Sequence, residues 1–296
     1  MSTRITTGMT QRNILADLNR VNERLNKVHS KISSNKEITR PSDDPYNTSR
    51  AMALRTSMEA TQQFQRNIND AQGWQESAEI ALSDITDAIR RAGELVLEGS
   101  SDTAPAEARL AIAQEIDQII AGVKQNANAT YGGRFIFAGT ASDQPPYVEG
   151  DDLYHGSTAP VQRQVGPGVP MDIGLSGDTF LGNGADGKLL QVLRDTSAHL
   201  KANDGVAIRA DIKRLDDKAD EVLGVRALNG AKQNRLDAAL GRLGEIEGAT
   251  LQQLSETEDV DIAKAMIEFS SQQAAYQAAL KAGANIVQAS LMDFLR

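Results

Sequence analysis

The chain of 296 residues has no cysteine, which excludes disulfide bonds and thiolate metal sites. Aromatic residues make up only 4% of the chain. This scarcity favours thin layers of closely spaced helices over a thick globular core. No apolar run approaches the roughly 20 residues that a membrane-spanning helix requires. Acidic residues outnumber basic ones by 40 to 31, and the resulting net charge of -9 argues against nucleic acid as a partner.

Two stretches near the ends of the chain carry apolar residues in alternating steps of four and three, if Gln273 and Gly283 are allowed as weak positions. This spacing predicts helices that each bury one side in a coiled coil. The first forty residues are mainly basic and the residues from Leu254 onward are mainly acidic, so we predict that the two helices pair with each other. The predicted assembly seam consists of Ile14, Leu18, Val21, Leu25, Val28, Ile32, Ile262, Met266, Phe269, Tyr276, Leu280 and Val287.

Two paired helices alone bury little apolar surface compared with the backbone entropy that their ordering costs. We therefore expect the chain ends to be mobile in the monomer and to become ordered when neighbouring subunits surround them. A charge placed in the seam would then be buried without a partner on assembly. The positions expected to control incorporation most strongly are Leu18, Leu25, Ile32, Met266, Phe269 and Leu280.

Between the ends, the sequence predicts helices on both sides of a β-rich segment. Asp44 can cap a helix that starts at Pro45, where the missing N-H has no cost. Gly99 ends this helix, and a second helix that begins near Ala104-Pro105 should fold back on it as an antiparallel hairpin. Short strands and Gly/Pro turns then follow until helices resume at Lys188.

We therefore predict a mainly α protein with a small β insertion, in which both chain ends form a long antiparallel helical bundle or coiled coil. A terminal core domain should comprise residues 1–40 and 255–296. A helical domain should comprise residues 41–132 and 188–254, and a β-rich outer domain residues 133–187. Such an arrangement is more typical of architectural proteins than of enzymes.

Candidate catalytic and metal-binding residues are few. His29, His155 and His199 are far apart in the sequence, and none has metal-ligand spacing to another histidine. The adjacent carboxylates Asp43 and Asp44 precede Pro45, where helix capping accounts for them better than acid-base chemistry. We predict no enzymatic activity, no catalytic residue, no cofactor and no metal.

One glycine-rich segment imitates a nucleotide-binding loop. Residues 182–188, GNGADGK, fit the dinucleotide pattern and most of the phosphate-loop pattern. A phosphate loop requires Ser or Thr after the lysine to hold magnesium, however, and this chain has Leu189 there. Gly177 and Asp178 also interrupt the segment that would have to form the preceding strand. We interpret the segment as a turn that leads back into a helix.

Three regions resemble the flagellin family. Residues 32–38, ISSNKEI, followed by 40–45, RPSDDP, resemble the end of the first helix and the Asp-Asp-Pro turn of bacterial flagellins and their junction relatives. Residues 133–140, GRFIFAGT, lead to Pro-Pro-Tyr at 145–147 and are similar to the hook-filament junction members of the family. Residues 288–296, QASLMDFLR, resemble flagellin-family C-termini. The order and placement of these motifs together are specific.

The resemblance implies a self-assembling structural adaptor at the junction between the hook-associated zone of the flagellum and the flagellin filament, which allows filament growth. It implies that the terminal helices line a helical tube and that the β insertion faces outward. The implied partners are other copies in a ring, a hook-associated protein on the hook side, flagellin on the filament side, and an export chaperone at the C-terminal helix region. Neither nucleic acid nor a membrane is an expected partner. We further expect Arg40, Asp43 and Asp44 to set the joint between the inner and outer helical layers.

The expected location is the extracellular flagellum, where the protein would serve motility. The start of the sequence, MSTRITTGMTQRN, lacks the apolar core of a secretory signal. The resemblance implies secretion through the flagellar type III apparatus instead, without a cleaved signal peptide.

A filament-forming flagellin is the nearest alternative. Flagellins usually read Asn-Ser-Ala or similar before Asp-Asp-Pro, whereas this chain has Arg40-Pro41-Ser42. The FIFAGT segment at residues 135–140 also favours a junction member of the family. A cytoplasmic helical scaffold and a phosphate-loop enzyme are more distant alternatives.

Overall fold

The computed structural model describes residues 7–294, with the side chains of residue 9 and of residues 12–284. Two units follow from the contacts within the chain. Unit 1 combines the two chain ends, Met1–Ala60 and Glu247–Arg296, and unit 2 is Thr61–Ile246. These units divide the chain in two and do not test the predicted three-domain division, which stays a prediction.

The described residues are mainly helical, as predicted. Their helices are α1 (Thr7–Ser34), α2 (Pro45–Gly99), α3 (Ala106–Ala127), α4 (Leu189–Lys201), α5 (Gly205–Glu258) and α6 (Ile262–Phe294). The short strands are β1 (Thr130–Tyr131), β2 (Arg134–Phe135), β3 (Gln162–Gly166) and β4 (Val169–Asp172), and a 3-10 turn covers Gly177–Thr179. None of the described helices has the length and apolar character that crossing a membrane requires. The predicted fold class is confirmed.

In unit 1, α1 and α6 pack against each other in antiparallel orientation. The side chain of Ile14, near the start of α1, lies next to Gly283, near the end of α6. Further along α1, the rings of His29 and Phe269 lie 6.2 Å apart between their centroids. The predicted pairing of the two chain ends is therefore present within one chain.

Local capping sets the ends of the helices in unit 1. The Asp44 carboxylate accepts the backbone N-H of Asn47 at 3.0 Å, and α2 begins at Pro45, as the sequence predicts. The Asp261 carboxylate accepts the backbone N-H of Lys264 at 3.1 Å in the same way and caps α6. Helix α1 ends just before Asn35, whose φ of 56° is the left-handed conformation common after a helix.

In unit 2, α2 and α3 form the predicted hairpin. The guanidinium of Arg91 and the carboxylate of Glu115 pair across it at 2.8 Å, and α4 packs on α3. The core between the elements contains large aliphatic and aromatic side chains with no more than 2% exposure, among them Ile68, Leu82, Ile85, Ile89, Ile116, Ile120, Phe137, Tyr147 and Phe180. This core gives unit 2 the burial that a stable domain requires.

The β insertion consists of two small antiparallel sheets in unit 2, β1-β2 and β3-β4. A close approach of backbone segments fixes the loop between them. Gly139 has a φ of +59°, and a Cβ atom there would lie 1.8 Å from the carbonyl oxygen of Ser157. Only glycine fits this position without moving the backbone.

A buried polar contact joins three elements of unit 2. Gln75 of α2 is fully buried and donates its Nε2 to the carbonyl of Ile173 at 2.6 Å. Asn229 of α5 is equally buried and donates its Nδ2 to the carbonyl of Gln75 at 3.1 Å. These two hydrogen bonds connect α2 to α5 and to the β insertion.

Candidate assembly surface

The six predicted seam residues of α1 lie on the least exposed side of that helix. Val28 is buried at 4% exposure, and the other five are half-buried. Their neighbours at the intervening positions are exposed, apart from Lys31 among residues 12–32. The alternating steps of four and three therefore identified the side of α1 that packs on α6.

The contact row of α6 differs from the predicted one. The least exposed side chains between residues 262 and 284 are Ala265, Phe269, Gln272, Tyr276, Ala279 and Gly283. Phe269 and Tyr276 belong to both rows. Ile262, Met266 and Leu280 are 44%, 52% and 44% exposed, so their assignment to the pairing face is wrong.

Side-chain size explains this correction. Ala265, Ala279 and Gly283 let α1 approach α6 closely, and a Cβ atom added to Gly283 would lie 3.1 Å from Ile14. The prediction selected the larger apolar residues, which lie beside this contact row. The side chain of Val287 lies outside the described residues.

Several large apolar side chains of α6 lie outside the contact row and are exposed to solvent. Ile267 is 73% exposed, in addition to Ile262, Met266 and Leu280, and Leu15 on α1 is 60% exposed. Contiguous exposed apolar residues are typical of surfaces that another protein covers. The control of incorporation by the predicted seam residues stays a prediction.

In unit 1, an ion-pair cluster joins the segment that follows α1 to the end of α5. The Lys36 ammonium lies 2.7 Å from a carboxylate oxygen of Glu258 and 2.7 Å from one of Asp259. The second oxygen of Glu258 lies 2.6 Å from Arg55 of α2. The backbone N-H of Glu37 also donates to the carbonyl of Glu258 at 2.7 Å. We call these residues the joint cluster.

Electrostatics favours the charged forms of the joint cluster. The hydrogen bonds to Asp259 and Glu258 raise the pKa of Lys36 above its ordinary value. Burial opposes the charge of Glu258, but the hydrogen bonds from Lys36 and Arg55 hold its pKa below the ordinary value. The Lys36 hydrogen bond also lowers the pKa of Asp259. These shifts favour the charged forms of Lys36, Glu258 and Asp259 near neutral pH.

The predicted joint residues have three different environments. Asp43 lies 2.9 Å from the Lys27 ammonium and accepts a hydrogen bond from Thr39, and these contacts lower its pKa. Asp44 caps α2, and its hydrogen bonds from Asn47 lower its pKa. The guanidinium of Arg40 has no hydrogen bond or ion pair with the described side chains, those of residue 9 and residues 12–284, or with the described backbone. Their predicted role between helical layers stays a prediction.

Both ends of the chain match known families of proteins. Residues 5–142 match the bacterial flagellin N-terminal helical region, and residues 212–295 match the bacterial flagellin C-terminal helical region. Flagellar hook-associated protein 3 of Salmonella typhimurium is 30% identical over 295 residues, which cover 91% of this chain and 92% of that protein.

This chain belongs to the flagellin family.

Other members of the flagellin family are similar over most of the chain. Flagellar hook-associated protein 3 of Escherichia coli is 28% identical over 291 residues, covering 90% of this chain and 92% of that protein. A flagellin of Treponema pallidum is 27% identical over 286 residues, covering 94% of this chain and 95% of the flagellin. A solved flagellar hook-associated protein of Vibrio parahaemolyticus has the same fold, with a TM-score of 0.68, 22% identity, and coverage of 73% of this chain and 100% of that one.

In this flagellin-family chain, backbone N-H groups of the glycine-rich loop at residues 182–188 donate to the carboxylate of Asp186 in the same loop. Asp186 accepts the backbone N-H of Asn183 at 2.7 Å and that of Lys188 at 3.0 Å. The Lys188 ammonium donates to the carbonyl of Asp178. The donors that would face a phosphate are therefore occupied within the loop, which suits the interpretation as a turn.

The three histidines have separate structural contacts. His155 lies 3.0 Å from Asp151, and His199 lies 2.6 Å from the buried carboxylate of Asp211. His29 is exposed and contacts Phe269. Within the part of the chain that the structure describes, no group of three or more His, Cys, Asp or Glu residues is placed to hold a metal ion.

Proposed function

We propose that this chain is the structural adaptor that joins the hook-associated zone of the bacterial flagellum to the flagellin filament and allows the filament to grow. The observation that carries the proposal is the similarity to hook-associated protein 3 from two bacteria, at 28% and 30% identity over at least 90% of this chain. Similarity of this extent includes both terminal helices and the region between them.

The surface of unit 1 supports assembly with neighbouring subunits. The α1-α6 pair is half-buried along its contact row, and α6 exposes Ile262, Met266 and Leu280 beside that row. Neighbouring subunits would remove these side chains from water, which favours association. We propose other copies of the chain in a ring, a hook-associated protein on the hook side and flagellin on the filament side as these neighbours.

We further propose extracellular location in the flagellum, reached by type III flagellar export without a cleaved signal peptide. An export chaperone would bind the C-terminal helix region before assembly. The three-domain division belongs to the same proposal, with residues 133–187 forming the outward-facing domain. We propose no enzymatic role, in keeping with the structural flagellar proteins that it resembles.

A filament-forming flagellin is the second candidate function. The flagellin of Treponema pallidum aligns over 94% of this chain, at 27% identity. The junction function is preferred because the hook-associated relatives have higher identity and because Arg40-Pro41-Ser42 stands where flagellins usually have another sequence.

Immunogold labelling of intact flagella distinguishes the two functions. An adaptor should be labelled only at the filament base, and deletion of its gene should leave hooks without filaments while flagellin appears in the medium. Label along the entire filament would favour the flagellin alternative. Protein that stays inside the cell would contradict both.

A further inference from the structure

A cavity of about 340 Å³ lies in unit 1 between the linker after α1 and the first turns of α2. Two cationic side chains, Arg40 and Arg55, line it together with the carboxylate of Glu258. We call it the arginine cavity. The Glu258 carboxylate is already bonded by both Lys36 and Arg55.

The charges around the arginine cavity do not balance. When the neighbouring pair of Lys27 and Asp43 is included, four cations (Lys27, Lys36, Arg40 and Arg55) face three carboxylates (Asp43, Glu258 and Asp259). Each of these carboxylates is already paired with a cation other than Arg40. The remaining cation is Arg40, whose guanidinium has no hydrogen bond or ion pair with the part of the chain whose side chains the structure describes. A guanidinium offers a carboxylate two parallel hydrogen bonds, so Arg40 is suited to an acidic ligand.

A second polar group at the same cavity also lacks a partner. The hydroxyl of Thr48 is buried and has no hydrogen bond among the described residues. A buried hydroxyl without a hydrogen bond is unfavourable, and most buried polar groups in proteins have a partner. Thr48 lines the arginine cavity and can donate to an acceptor there.

Apart from Thr39, the remaining wall of the cavity is apolar. Ala51 is buried, while Met52 is 63% exposed and can cover a ligand. Methylene groups that join a carboxylate to a helix would pack against these side chains. The cavity therefore combines a free guanidinium, an unbonded hydroxyl and apolar contacts, which fits an aspartate or glutamate side chain.

The chain itself carries a group of acids without partners. Asp216, Asp217 and Asp220 are exposed residues of α5, and the structure gives none of them an ion pair or hydrogen bond with the described residues. We call them the acidic run. Their spacing places them on one side of the helix, where like charges repel each other unless a cation approaches.

We propose that the arginine cavity binds a carboxylate of the acidic run of a second copy of this chain. This inference rests on the proposed function, because it names the contact between copies in the ring. The cavity and the acidic run are different surfaces, so the contact is heterologous, and a heterologous contact that repeats can close into a ring. Opposite charges on the two surfaces give the contact its orientation.

A charge exchange tests the contact in flagella isolated from the native bacterium. Arg40→Asp should lower the amount of the protein in flagella on the order of tenfold, in line with measured couplings of close charge pairs. Replacing all three acids of the run by arginine should do the same. Combining both changes should restore incorporation to within about threefold of the natural protein.

Arg50→Asp is the matched control, because Arg50, near the start of α2, is also an exposed arginine without a hydrogen bond or ion pair among the described residues, and it lies outside the cavity. It should be incorporated normally. The purified Arg40→Asp variant should melt close to the temperature of the natural protein, since the Arg40 guanidinium has no hydrogen bond or ion pair with the described residues. Equal incorporation of the Arg40 and Arg50 variants, or a combined variant no better than either change alone, would overturn the proposal.

A photo-reactive residue at Met52 identifies the occupant of the cavity. The expected product in flagella joins Met52 to a peptide of a second copy that contains the acidic run. A product with flagellin, with a hook-associated protein or with an adventitious protein would overturn the proposal. Absence of the natural protein from flagella would contradict the proposed function as well, whereas its presence with an unaffected Arg40 variant would contradict the inference alone.

Discussion

Units 1 and 2 bury their apolar residues to different extents. Unit 2 encloses large side chains such as Ile85 and Ile116, both at 0% exposure. In unit 1, Val28 is the member of the predicted seam that is buried, and the other described members are half-buried or exposed. A core of buried side chains stabilises a unit by itself, whereas a half-covered pair of helices gains its remaining burial from neighbours. The comparison indicates that unit 2 supplies stability and unit 1 supplies assembly.

The largest effect is expected where α6 is exposed in one chain and covered in the assembly. Met266→Asp should hardly change the melting of the monomer, because Met266 is 52% exposed. On assembly, the new carboxylate would be buried without a partner, at a cost of about 3–5 kcal/mol, so incorporation into flagella should fall more than about a hundredfold. Quantitative immunoblotting of isolated flagella measures this. Ser271→Asp, on another exposed side of α6, is the control, and equal incorporation of the two variants would contradict the account.

A substitution in the core of unit 2 should instead lower the stability of the single chain. Ile116→Ala should reduce the free energy of unfolding by about 2–5 kcal/mol, because it removes a fully buried side chain. Ile267→Ala, at a position that is 73% exposed, should cost less than about 0.5 kcal/mol. Urea unfolding followed by circular dichroism compares the two. Similar losses in the free energy of unfolding for both variants would contradict the proposed difference in burial between the two units.

The joint cluster should give unit 1 a defined pH range of stability. The pKa of Glu258 is lowered from its ordinary 4.5, so its contribution is present above pH 4.5 and is lost as the pH falls through the lowered value. The pKa of Lys36 is raised from 10.5, so its contribution is present below pH 10.5 and is lost as the pH rises through the raised value. The protection of the Glu37 amide against hydrogen exchange, relative to its intrinsic exchange rate at each pH, should therefore fall in acid before that of the unit 2 core amides does.

Glu258→Gln tests the same cluster at neutral pH. The amide cannot accept both charged donors as the carboxylate does, so unit 1 should lose about 1–3 kcal/mol. The acid-dependent loss of protection at the Glu37 amide should become smaller in this variant. An unchanged pH profile would show that other carboxylates control the joint.

The smallest effect concerns the cap of α6. Asp261→Ala removes the acceptor of the Lys264 N-H and should cost about 1 kcal/mol, confined to unit 1. Asp261→Asn keeps an acceptor and should restore most of the loss. Hydrogen exchange in the first turn of α6 measures the difference. Equal exchange in both variants would mean that the cap does not stabilise the helix.

Local signals in the sequence predicted the elements well. The capping residue Asp44, followed by Pro45, marked the start of α2, and Gly99 marked its end. The steps of four and three identified the packing side of α1 because its contact residues are large and apolar. These features depend on residues close together in the sequence, so the sequence alone contains them.

Contacts between distant segments were not predictable in the same way. The contact row of α6 uses Ala265, Ala279 and Gly283, and small residues give no apolar signal. The pair of Lys36 with Glu258 joins residues 222 positions apart, and neither residue stands out among its charged neighbours. The excess of basic residues at one end and acidic residues at the other was the available signal for the joint cluster.

Hydrogen exchange of the whole chain, as purified monomer and in isolated flagella, tests the central claim most directly. The account predicts fast exchange of the α1 and α6 amides in the monomer and strong protection in flagella, with the core amides of unit 2 protected in both. Protection of α1 and α6 in the monomer equal to that of the unit 2 core would contradict it.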